Sequence, residues 1–279
     1  MNCNIPSFNA LRRSITALRA LEELDIWDAT TKSRVGKPWV SSSKYAPGPQ
    51  LRMFKLVGPQ DEHVPGDLVD VLMHWLSNHT SLKELHLSIA MRRELSVTVG
   101  SPFGPGLMAF FQSGAASSVS SLSMDIMEGR YNPISYFTSL SSLTLSSDID
   151  LCISSLWAEA CAMLNDLRSP IRYLRFTEVL YHEPQTPCPA HSDFCFCLGP
   201  GGGIAELDAV LSRDVFRDLI RVEFHLRRWA YFGPYPPTAG LDDVPRPRIE
   251  RSELLDRTKE SLPQLFAAGV VLVAFTESW

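Results

Sequence analysis

A short apolar pattern, L-x-x-L-x-L in outline, recurs along the chain. Its copies are "LEELDI" from Leu21, "LRMFKL" from Leu51, "LKELHL" from Leu82, "VSSLSM" from Val119, "LSSLTL" from Leu140, "IRYLRF" from Ile171, "LIRVEF" from Leu219 and "VVLVAF" from Val270. The alternating second half of each copy has the period of a strand with one buried face. Successive copies start 30, 31, 37, 21, 31, 48 and 51 residues apart, and most of these spacings suit one strand, one helix and two connections. The positions between the apolar ones point away from the core. The predicted open face therefore runs Glu23, Asp25, Trp27; Met53, Lys55, Val57; Glu84, His86, Ser88; Ser121, Ser123, Asp125; Ser142, Thr144, Ser146; Tyr173, Arg175, Thr177; Arg221, Glu223, His225; and Leu272, Ala274, Thr276. It is acidic at its start, small and hydroxylated in its middle, and mixed toward its end.

Between these strands the period changes to that of a helix. "DLVDVLMHWLSN" places Leu68, Val71, Leu72, Trp75 and Leu76 on one face, with Asp67 as N-cap and Asn78 near the stop. "LCISSLWAEACAMLNDLRSP" aligns Ile153, Leu156, Trp157, Ala160, Cys161, Leu164 and Leu167, and Pro170 ends it. Less regular helices are predicted over 7–20, with Phe8, Leu11, Ile15 and Leu18 inward, over 204–218, and over 250–268, where Pro263 restarts the helix and Gly269 stops it. Loops are expected at 28–50, 58–66, 91–106, 126–139, 178–203 and 228–249.

No such short amphipathic pair covers its own apolar face, so each needs a neighbour on both sides. The expected fold is α/β: an irregular leucine-rich-repeat solenoid of about eight helix-strand units with a curved parallel sheet and right-handed crossovers. It is expected to form one domain over residues 1–279, with long insertions at about 178–203 and 228–249. The alternative is a split into two domains near residue 180 or 200. A further expectation is that an exposed first repeat associates through its open edge.

Composition narrows the function. At 45% hydrophobic and 20% charged, the 279 residues suffice for a sizeable core. A net charge of −5 with no lysine-arginine run longer than two argues against a nucleic-acid backbone or an acidic membrane as partner. The N-terminus lacks a signal-peptide core and no apolar run reaches membrane-spanning length. An intracellular protein, cytoplasmic or nuclear, with reduced cysteines is the expectation. Cys161 falls on a core face, and Cys152, nine positions away in the same helical pattern, is too far to bridge to it.

The one stretch dense in candidate chemistry is "HEPQTPCPAHSDFCFCLGPGGG", residues 182–203. Cys188, His191, Cys195 and Cys197 supply enough ligands for tetrahedral zinc, but C-x-C is a less usual chelate than C-x2-C. The alternation of "DFCFC" equally suits a short strand with one cysteine face. The glycines lack the lysine and hydroxyl residue of a phosphate-binding loop. "AHSD" sets triad residue types side by side, where their side chains diverge. The proline after His182 and Glu183 forbids the helix of a zinc protease. Neither a metal nor a cofactor is expected, and a metal-binding or hydrolytic centre in this loop stands as the alternative. Candidate partner-binding residues are Glu84, His86, Tyr173, Arg175, Arg221 and Glu223 on the open face. Trp229 and Tyr231 join them from the aromatic stretch "RRWAYFGPYPP", either as interface anchors or as a cap on the last repeats.

Two C-terminal segments carry a family likeness. "ELDAVLSRDVFRDLIRVEFHL" supplies Leu207, Asp208, Leu211, Phe216, Leu219 and Val222, and "SLPQLFAAGVVLVAF" supplies Leu262, Pro263, Leu265, Gly269 and Val273. Together they resemble the F-box-like leucine-rich-repeat proteins of mushroom-forming fungi. The resemblance implies a non-enzymatic protein-binding module, the substrate-recognition half of a ubiquitin-ligase receptor. Residues 1–20 do not match the Leu-Pro motif that opens an F-box. Adaptor binding is therefore expected only with an F-box upstream.

Overall fold

The fold comes from a computed structural model, which describes residues 4–5, 8–27, 30–31, 50–57, 66–79, 81–88, 104–126, 132–146, 156–181, 204–228 and 251–276. In chain order the elements are β1 (Asn4–Ile5), α1 (Phe8–Ala17), β2 (Glu23–Trp27), β3 (Thr30–Thr31), β4 (Met53–Val57), α2 (Gly66–Leu76), β5 (Glu84–Ser88), α3 (Pro105–Phe111), α4 (Gly114–Ser118), β6 (Ser121–Asp125), β7 (Ser142–Ser146), α5 (Leu156–Asn165), β8 (Tyr173–Tyr181), α6 (Ile204–Leu211), β9 (Arg221–Arg228), α7 (Arg251–Ser261), α8 (Pro263–Ala267) and β10 (Val271–Thr276). Strands β2 and β4 to β10 form one eight-stranded parallel sheet in unbroken chain order. Apart from it, β1 and β3 make a small parallel pair.

All eight L-x-x-L-x-L copies fall on the eight strands of this sheet. The first apolar position lies ahead of the strand and is buried at Leu51, Leu82, Val119, Leu140 and Ile171. The polar residue after it continues the ladder. Arg52 donates its N–H to the Glu22 carbonyl, Lys83 to Arg52, Ser120 to Lys83, Ser141 to Ser120, and Arg172 to Ser141. The remaining two apolar positions form the inner face, as Phe54 and Leu56, Leu85 and Leu87, Leu122 and Met124, Leu143 and Leu145, and Leu174 and Phe176 do. They join buried helix residues in one continuous core. Side chains tie three of the connections to the preceding unit. His79 Nε2 lies 2.6 Å from the Leu51 carbonyl and carries the proton, since a carbonyl only accepts. Ser118 Oγ donates to Leu82, and Ser169 Oγ to Phe137.

Several expectations are corrected. Leu18 is 55% exposed, because α1 ends at Ala17 and the next residue leaves the helical period. On α2, Val69 and Met73 are buried while Val71 is only partly so, because the helix also packs against α3. Asp67 lies inside that helix, which begins at Gly66. Helices α3 and α4 arise where the periodicity gave none, and α3 is a nearly continuous apolar run of seven residues. Strand β8 continues to Tyr181, past the expected loop start at 178, after an irregularity between Phe176 and Val179. Pro263 separates α7 from α8 as expected, and Gly269 takes a φ of 71°, a left-handed conformation that glycine adopts without steric cost.

Two aspartates join helices from separate units. Asp70 on α2 accepts the N–H groups of Gly106 (2.6 Å) and Leu107 (2.9 Å) at the start of α3. Asp208 on α6 accepts those of Gln264 (3.2 Å) and Leu265 (3.1 Å) at the start of α8. The first N–H groups of a helix have no partner within it, and a carboxylate there also meets the positive end of the helix dipole. The "Leu-Asp" and "Leu-Pro-x-Leu" features at 207–208 and 262–265 are thus two halves of one contact.

Candidate functional site

Strand register assembles the open face. One row runs Asp25, Lys55, His86, Ser123, Thr144, Arg175, Glu223, Leu272, each beside the next across the sheet. The row before it runs Glu23, Met53, Glu84, Ser121, Ser142, Tyr173, Arg221. Adjacent parallel strands lie about 4.8 Å apart, so the side chains in each row are immediate neighbours. A third row follows in two stretches, Trp27, Val57, Ser88 and then Asp125, Ser146, Thr177, and among the expected open-face residues whose side chains are described two depart in exposure. Asp125 and Glu223 are buried.

At the acidic end, Lys55 Nζ sits 4.4 Å from the centre of the Trp27 ring, a cation–π arrangement across β2 and β4. His86 is half-buried beside Lys55. Its pKa is held below the ordinary imidazole value, first by burial and then by Lys55, against the opposing pull of Glu84 and Asp25. The ring is therefore neutral at neutral pH. In the middle, β6 and β7 present short hydroxyl side chains, and Thr177 Oγ1 donates to Ser146 Oγ at 2.8 Å.

At the other end, Glu223 is 8% exposed because its neighbours cover it. Arg175 Nε donates to its Oε2 at 2.6 Å and Arg221 Nη1 to its Oε1 at 3.1 Å. His225 Nε2 lies 3.4 Å from Oε2 and is the donor, since a carboxylate only accepts. Burial raises the Glu223 pKa. The hydrogen bond and charge of Arg175, then the bonds from His225 and Arg221, outweigh burial and hold it below the ordinary glutamate range. The sign follows from linkage: a depressed folded-state pKa stabilises the fold above the unfolded value and loses that contribution as pH falls through the folded one. Stability attributable to Glu223 is therefore expected to be full above about pH 4.5 and to decline below it. Urea midpoints measured from pH 6 to pH 3 should fall less steeply for Glu223→Gln than for the unmodified chain, and parallel curves would refute the assignment.

Of the predicted site residues, Tyr173, Arg175, Arg221 and Glu223 come together on β8 and β9. Glu84 and His86 stand apart on β5, separated from them by β6 and β7. Trp229 and Tyr231, with the Cys/His stretch at 182–203, lie outside the described residues. Among the described residues, no group of three or more His, Cys, Asp or Glu side chains is arranged to hold a metal ion. Among them, too, no helix is long and apolar enough to cross a membrane.

Periodicity did not single out Asp70 and Asp208, although each is flanked by apolar residues, in "LVDVL" and "LDAVL". Cys161 is buried as expected. Burial, and secondly Glu206, push its thiol up to about 12. Because the thiolate is the reactive form, Cys161 should resist iodoacetamide at pH 8 in the folded protein and react in urea. Peptide mass spectrometry reads the difference, and native labelling at the rate of a free cysteine would contradict it.

Compared with protein-family models, with curated proteins and with solved structures, the chain matches none of them.

Proposed function

We propose that the chain is a non-enzymatic protein-interaction module, a single irregular leucine-rich-repeat solenoid over residues 1–279. Its role is that of the substrate-recognition half of a fungal F-box-type ubiquitin-ligase receptor, with adaptor contact only if an F-box lies upstream. The observation that carries this reading is the eight-stranded parallel sheet in unbroken chain order, with an inner core face and an outer face that changes chemistry from end to end. Such a surface varies position by position over a constant scaffold, which suits recognition. The spacing of the polar groups also favours binding over catalysis. Glu84 and His86 stand three strand steps from Tyr173 and Arg175, about 14 Å, too far to act on one reacting bond.

Affinity capture with the full chain tests the reading. Ser123→Arg with Thr144→Arg, neighbours across β6 and β7, should abolish recovery of partners that the unmodified protein enriches. Ala162→Arg, at an exposed position on α5, should not. Equal recovery by all three proteins would overturn the proposal. So would stoichiometric zinc lost on Cys188→Ser and Cys195→Ser, if accompanied by hydrolytic activity lost in the same variants.

A further inference from the structure

The cluster on β8 and β9 holds more donors than its own carboxylate uses. Each guanidinium carries five N–H donors in a rigid fork. Arg175 directs its Nε, and Arg221 its Nη1, at Glu223, and among the described residues neither guanidinium has a further hydrogen-bond or ion-pair partner. About half of each side chain stays in solvent, 48% for Arg175 and 54% for Arg221, while that of Glu223 is only 10% exposed. One negative charge beneath two positive ones leaves the group net cationic. Tyr173 stands beside Arg221 in register and is 45% exposed, adding a phenolic donor at the same height.

From this geometry we infer that Glu223 holds Arg175 and Arg221 as a receptor for an oxyanion, a carboxylate or phosphoryl group, carried by an acidic segment of a protein partner. The inference rests on the interaction reading above and adds the chemistry of the bound group. Bidentate recognition by guanidinium suits both planar carboxylates and phosphoryl groups. Glu223 restrains both forks before a ligand arrives, reducing the ordering cost of binding. Charge complementarity selects the occupant. The same face carries Glu23, Asp25 and Glu84 at its other end, and the chain has a net charge of −5. A nucleic acid, negative throughout its length, would be repelled there, whereas a protein segment can place an acid over β8 and β9 and end or reverse charge beyond the hydroxyl rows of β6 and β7.

The test uses the full chain with nitrogen-15-labelled arginine, observing side-chain Nε–Hε resonances assigned by their loss in R175Q and R221Q. The probes are inorganic phosphate, a tetraglutamate peptide, a Gly-Gly-phosphoserine-Gly peptide, tetralysine and a DNA duplex, at ionic strength matched with sodium chloride. At least one anionic peptide should shift both resonances saturably, while tetralysine shifts neither. Its affinity should fall on the order of tenfold in each single variant, the scale of one lost charge-assisted contact. The glutamate and phosphoserine arms distinguish carboxylate from phosphoryl. Absence of a saturable shift with either peptide, a response to phosphate alone, unchanged affinity in the variants, or tighter binding of duplex than of both peptides would overturn the inference. If R175Q/R221Q still captures every partner that S123R/T144R loses, the receptor fails and the interaction reading stands. If the unmodified chain captures nothing but binds the peptides, the interaction reading fails alone.

Discussion

Trp157→Ala is expected to lower stability by about 3 to 5 kcal/mol, the usual cost of emptying a large aromatic site in a close-packed core. Trp157 on α5 is 1% exposed and meets the sheet at Phe176 of β8, 5.2 Å between ring centres, and at Phe224 of β9, 6.1 Å. Those two phenylalanines stack at 5.4 Å with their planes 12° apart. Three rings from three elements thus fill one space, and no small side chain can be drawn in to fill it. Domains are commonly stable by about 5 to 15 kcal/mol, so this one truncation should remove a large share. Urea unfolding should show a much lower midpoint for Trp157→Ala and a smaller drop for Trp157→Phe, which keeps one ring. A loss below about 1 kcal/mol for the alanine variant would mean that the three rings do not pack as a unit.

The second large effect is steric. A β-carbon on Gly106 would land on the Asp70 backbone carbonyl oxygen and within 2.9 Å of His74 Cβ. Gly106→Ala must therefore push α3 away from α2, breaking the Asp70 bonds to Gly106 and Leu107 as well. About 3 kcal/mol is expected, at the upper end of the usual overpacking penalty. Gly104 offers a control, because there the obstructing atoms belong to the Asp70 side chain. In Asp70→Ala, the added cost of Gly104→Ala should shrink, whereas that of Gly106→Ala should persist. Thermal unfolding of the three single and two double variants measures both couplings, and equal relief at the two glycines would show that backbone is not the obstacle at 106.

The strands and the open face were legible because they rest on a period of two, which alternation of Leu, Val, Ile and Phe records in very few residues. Even the last copy, "VVLVAF", where apolar residues occupy the open side as well, keeps Leu272 beside Glu223 and outward, 43% exposed. The helices were less legible where neighbours override amphipathicity. Met73 is buried because α3 covers a second side of α2, and α3 is apolar along most of its length. At the candidate site, alternation placed Arg175, Arg221 and Glu223 on one surface but gave no sign that Glu223 would be covered. That depends on which residues of two strands 48 positions apart stand side by side, and register between distant segments is set by the assembled sheet. Asp70 and Asp208 were obscured for the same reason, since each meets a helix start 36 or 56 residues away.

Growth of the sheet in chain order makes the molecule tolerant in one direction and brittle in another. Each strand has only to find its predecessor, and the entropy of closing the connection rises slowly with length. The difference between the 31-residue and 51-residue spacings is about 0.4 kcal/mol for a flexible chain. Connections can therefore lengthen between strands with little thermodynamic penalty. Within a strand, a single inserted or deleted residue inverts inside and outside for everything beyond it in that strand. Deleting Ser142, for example, would send Leu143 and Leu145 outward and draw Thr144 toward the core, so length variation in this chain belongs between its strands.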